Sequence, residues 1–99
     1  METFQVLNGV RRAKAAESVG HTNISAAILD QDGRLVEVRL LPLDSLLSPK
    51  GILDLRSSAV ALIRFRRLQS LLLAGVSLDP IEVMPGNHGT PLAAVQVLT

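Results

Sequence analysis

A chain of 99 residues that is 47% hydrophobic but only 2% aromatic holds one domain's worth of core, and that core must be built from Leu, Val, Ile and Ala. A net charge of +1 excludes the global basic field of strong nonspecific nucleic-acid binders, and the lack of cysteine excludes disulfides, thiolate catalysis and zinc–thiolate sites. No apolar run reaches membrane-spanning length and no basic stretch with an apolar core opens the chain, so the expectation is a single domain over residues 1–99, cytoplasmic and without a membrane partner.

Phe4–Leu7 alternates in polarity and predicts a short strand, and Asn8-Gly9 is turn chemistry. A helix over Val10–Val19 would turn Val10, Ala13, Ala16 and Val19 to the core and Arg11, Lys14, Glu17 and Ser18 outward, with Gly20 as its stop. Asn23–Leu29 reads as a buried strand and Gln31-Asp32-Gly33 as a hairpin turn. Arg34–Leu43 returns, with Leu35, Glu37 and Arg39 alternating against Val36, Val38 and Leu40. Pro42–Gly51 predicts a loop with one helical turn. Ser57 or Ser58 can cap a helix over Ala59–Ala74, closed by Gly75. Its Val60, Leu62, Ile63, Phe65, Leu68, Leu71 and Leu72 form a wide apolar face, with Arg64, Arg66, Arg67 and Gln69 largely opposite. Pro80–Met84 predicts a strand, Pro85–Thr90 a turn and Leu92–Leu98 a final strand. The order β-α-β-β-α-β-β is that of an α+β domain: a small mixed sheet with two main helices.

Chemistry concentrates at the first strand–Gly–helix corner. Free N–H groups of a first helical turn and the helix dipole favour an anion, and Arg11 and Arg12 add permanently charged donors whose geometry matches phosphate. The competing reading makes Arg11, Arg12, Lys14 and Glu17 the solvated face of a helix. Arg64, Arg66 and Arg67 could touch a nucleic-acid backbone, but a solvated or partner-binding face explains them as well. His88 sits in a Gly-rich turn without a second ligand nearby, and His21 follows a helix stop, so no metal ligands are expected.

The stretch FQVLNGVRRAKAAESVGHTNISAAIL resembles the second half of a ParB/sulfiredoxin-like (ParB-like nuclease/CTPase) domain. Gly9, Arg11, Arg12, Ala15 and Ala16 match that family's G-x-R-R-x-x-A-A turn–helix. VEVRLLPLDSLLSP and, after a helix, LLLAGVSLDPIEVMPGNHGTPL are similar to the family's first half, so the halves stand here in permuted order, joined by the QDG hairpin. Such permutation is tolerable where junctions lie at the surface. The resemblance implies a nucleotide or phosphate-ester site with Arg12 as central ligand, assisted by Asn8, Gly9 and Arg11, and a nucleotide with Mg²⁺ as the cofactor. It also implies polar contacts from the loop Leu43–Arg56, for which Asp44, Ser48, Lys50 and Arg56 are the candidates. The sulfiredoxin cysteine is missing, which excludes that reductase activity. Val10 stands where the CTPase branch has Glu. Asp44, Asp54, Asp79 and Glu82 are scattered and form no evident Mg²⁺ site, so weak phosphohydrolase or nuclease activity at the turn is the most that is expected.

An alternative class is a non-enzymatic interaction module, which docks a partner through the Arg64/Arg67 helix or homodimerises through an edge strand at Leu92–Leu98. The hairpin AAILDQDGRLVEVR alone is similar to that of sensor domains of GlcG/HbpS type, which implies an apolar pocket in place of a basic one.

Overall fold

The computed structural model describes residues 2–49, 54–55 and 59–97. Strand β1 (Phe4–Asn8) runs through Gly9 into helix α1 (Val10–Ser18), followed by the hairpin β2 (Asn23–Leu29) and β3 (Leu35–Pro42). A 3-10 turn (Leu43–Ser45) leads to β4 (Leu46–Ser48), then β5 (Asp54–Leu55) and helix α2 (Ala59–Leu73). The chain ends with β6 (Ile81–Pro85), β7 (Thr90–Pro91), a second 3-10 turn (Leu92–Ala94) and β8 (Gln96–Val97). Six strands form one sheet in the order β3-β2-β6-β1-β4-β7, while β5 and β8 pair by themselves. The sheet is mixed: β1–β4 and β2–β6 are parallel, whereas β1–β6, β2–β3 and β4–β7 are antiparallel. This is the expected α+β domain with two helices.

Local chemistry explains most boundaries. Both helices end in the paired bonds of a Schellman motif. In α1, His21 N–H donates to Ala16 O and Gly20 N–H to Glu17 O; in α2, Val76 donates to Leu71 O and Gly75 to Leu72 O. In the hairpin, Asp30 Oδ1 accepts from the N–H groups of Asp32 and Arg34, each at 2.9 Å, folding the turn onto its own side chain.

The core is largely aliphatic, as the composition requires, with Phe4 its one aromatic member among the described residues. One face of the strands supplies Phe4, Val6, Ala26, Ile28, Ile81 and Val83, packed with Ala13 and Ala16 of α1 and with Leu41, Leu43, Leu46 and Leu92. Small alanines let α1 approach the sheet closely, and α1 touches β2, β6, the Leu92–Ala94 turn and α2. Among the described residues no helix is long and apolar enough to cross a membrane.

Three expectations need correction. Lys14 is buried, not outward: its ammonium bonds Glu17 Oε1 and, at 3.1 Å, the carbonyl of Leu92, because the C-terminal turn closes over that side of α1. Leu46–Ser48, expected within a loop, is a strand, since it pairs in parallel with Phe4 and Gln5. Leu92–Leu98 is not one edge strand. Leu92–Ala94 is a 3-10 turn, Leu92 and Val95 are each 1% exposed, Gln96–Val97 pairs with β5, and Leu98 lies outside the described residues. The wide apolar face of α2 is only partly covered: Phe65 is buried, Leu62, Leu68, Leu71 and Leu72 are half-buried, and Val60 and Ile63 are exposed.

Candidate functional site

Gly9 sets the geometry of the corner. It caps α1 at φ 112°, ψ 23°, a left-handed conformation that side-chain-bearing residues avoid. A Cβ there would also lie 2.5 Å from Cγ2 of Ile81, so β6 passes too close for any other residue. Gly9 O accepts from Ala13 N–H at 3.0 Å, which starts the helical ladder. The N–H groups of Val10, Arg11 and Arg12 precede that ladder and carry the positive end of the helix dipole. No acidic residue stands in the first turn to use it.

This corner opens on a cleft of about 640 Å³ between the start of α1 and the flank of α2. Its charged lining is Arg11 and Arg12 from α1 with Arg64 and Arg67 from α2, over an apolar floor that includes Leu7, Leu68 and Leu71. Among the described residues no carboxylate lines it. Like charges gathered in this way repel one another, by about 1 kcal/mol for unit charges 4 Å apart even in bulk water. An anion reverses that cost.

The arginines are not equivalent. Arg12 Nη1 donates to the carbonyls of Asp79 (2.8 Å) and Pro80 (3.0 Å), tying α1 to the segment that enters β6. Two of its five donors are thereby used, and Nε and Nη2 have no hydrogen-bond partner among the described residues. Arg12 therefore holds structure as well as facing the cleft. Arg11, Arg64 and Arg67 are exposed and make no ion pair among the described residues.

Of the sequence candidates, Asn8, Gly9, Arg11 and Arg12 line the cleft together, with Asn8 Nδ2 also bonded to Glu82 Oε1 at 3.1 Å. Ser48 does not join them. It is fully buried, its Oγ has no hydrogen-bond partner among the described residues, and the next residue, Pro49, lines the cleft instead. Lys50 and Arg56 lie outside the described residues, and Asp44, His21 and His88 are exposed away from the cleft. His21 meets a helix-end carbonyl through its backbone N–H. No group of three or more His, Asp or Glu among the described residues could hold a metal ion. Arg64 and Arg67 are the site residues that sequence reasoning left on a solvated face. The available signal was their spacing with Leu68 and Leu71, which puts all four on one side of α2.

Compared with protein-family models, curated proteins and solved structures, the chain matches none of them.

Proposed function

We propose that this domain binds a phosphate-bearing small molecule, a nucleotide or phosphate ester, in the cleft between the N-terminus of α1 and the flank of α2. The observation that carries the reading is the convergence of Arg11, Arg12, Arg64 and Arg67 on one cleft whose described lining contains no carboxylate. Phosphate oxygens would meet the first-turn N–H groups and the guanidiniums, while the apolar floor covers the rest of the ligand. The chemistry of the donor set favours binding over turnover: guanidiniums neutralise charge but cannot act as general bases near neutral pH. Kinship with ParB/sulfiredoxin-like domains in permuted order belongs to the same proposal, supported by the Gly9–Ala16 motif and by LDPIEV at residues 78–83.

Titration calorimetry with a panel of nucleoside triphosphates and with pyrophosphate tests it. Binding is expected without Mg²⁺, since the arginines already offset phosphate charge, and should weaken as salt rises. Arg64→Ala and Arg11→Ala should each lower affinity by roughly ten- to a hundredfold, the worth of a charged hydrogen bond. Absence of heat with every member of the panel, with or without Mg²⁺, removes the reading.

A further inference from the structure

Among the described residues, β3 forms one border of the six-stranded sheet and no strand pairs with its outer side. An unpaired border of this kind is a template for another strand. Proteins usually protect it, yet here Leu35, Val36, Val38 and Leu40 are 61%, 63%, 51% and 69% exposed. Val38 and Leu40 stand opposite Ala27 and Ser25 of β2, on the sheet face that does not carry the core.

The polar residues of β3 single out an occupant. They are one acid and one base two positions apart, Glu37 and Arg39, flanking Val38. If two copies of β3 meet antiparallel about a twofold axis at Val38, Glu37 of each lies opposite Arg39 of the other. Val38 then meets Val38, and Val36 meets Leu40. A twofold at Glu37 would oppose two carboxylates, and one at Arg39 two guanidiniums, both unfavourable in directly facing pairs. Only the Val38 register satisfies charge and apolar contact together. A bulge leaves Val36 without a partner on β2, and the regular paired stretch of β3 runs from Glu37 to Pro42, which holds Glu37, Val38 and Arg39 in register.

We propose that two copies of this chain associate through antiparallel β3–β3 pairing centred on Val38, with reciprocal Glu37–Arg39 contacts between them. In the single chain Arg39 bonds Glu37 Oε1 at 3.1 Å and Glu2 Oε1 at 3.0 Å, all three side chains being well exposed. Exposed pairs of this kind are weak, so exchanging the Glu37 contact for one across the axis costs little.

Sedimentation equilibrium of the full chain, with circular dichroism to confirm folding, tests the pairing. The wild type should show twice the monomer mass at high concentration. E37R places arginines opposite arginines and R39E places glutamates opposite glutamates, so each alone should weaken dimerisation roughly tenfold or more. An equimolar mixture of E37R and R39E should restore it as a heterodimer, as should the double swap E37R/R39E within one chain. V38K should abolish it. A wild type that stays monomeric at millimolar concentration overturns the proposal. So does a mixture no tighter than its parts, or a dimer indifferent to all of these substitutions, which would place the contact on another surface such as α2.

Discussion

The two helices invert the relation between sequence and burial. The 15-residue helix α2 is rich in Leu, Val and Ile yet buries only Phe65, whereas the nine-residue α1, built on small and charged residues, buries Ala13, Lys14, Ala15 and Ala16. Position decides this. α1 touches the sheet, the Leu92–Ala94 turn and α2, so it is covered on several sides, while α2 packs chiefly against α1. Apolarity sets how much a helix could gain from burial; its neighbours set how much it does gain.

That contrast can be broken most severely at α2's one anchor. Phe65→Ala should cost about 3 to 5 kcal/mol in a urea melt, because nothing else on the helix is comparably enclosed. Substitutions on the crowded side come next. Gly9→Ala forces a left-handed alanine against Ile81, and Ala16→Leu drives a bulky group into a packed contact; each should lose about 1 to 3 kcal/mol. Lys14→Met keeps the stem but strips the Leu92 carbonyl of its donor, with an expected loss of about 1 to 2 kcal/mol, measurable as a shift in denaturation midpoint. At the small end, Ile63→Ser should stay within about 0.5 kcal/mol despite removing a large apolar residue from a helix, since Ile63 is 67% exposed. A large loss there would mean that α2's outer face is covered in solution, and the contrast between the helices would have to be redrawn.

The same asymmetry shapes the candidate site. A helix that leaves its flank open can lend Arg64 and Arg67 to a cleft whose other wall is the tightly held start of α1. Arg12 serves both sides, bound to the carbonyls of Asp79 and Pro80 while it faces the opening. Arg12→Ala is therefore a poor probe of binding, whereas Arg11 and Arg64 separate ligand affinity from folding.

Much of the corner was legible residue by residue. Asn8-Gly9 before an alanine-rich segment announced the strand–turn–helix, and Asn8, Gly9, Arg11 and Arg12 do line one cleft. Ser48 misled because Pro42–Gly51, with its Pro and Gly, reads as a loop when the strands it pairs with are distant in sequence, and the family resemblance placed polar contacts in that loop. Ser48 pairs with Thr90 of β7 and is fully buried, while Leu46 and Leu47 before it pair with β1. The exposed border was misplaced for the same reason. Leu92–Leu98 carries the aliphatic pattern of a strand, but Lys14 bonds the Leu92 carbonyl beneath it, and the open border falls at β3.

By itself the sequence determined the α+β class, both helix stops, the QDG hairpin and the glycine at the mouth of α1, since each depends on backbone conformations and short-range hydrogen bonds within a few residues. Tertiary structure alone decided which helix is enclosed, that Lys14 goes inward, that four arginines from two helices share a cleft, and which strand is left unpaired. Those outcomes rest on contacts between residues dozens of positions apart, such as Arg12 with Pro80 and Lys14 with Leu92, and no local pattern encodes them.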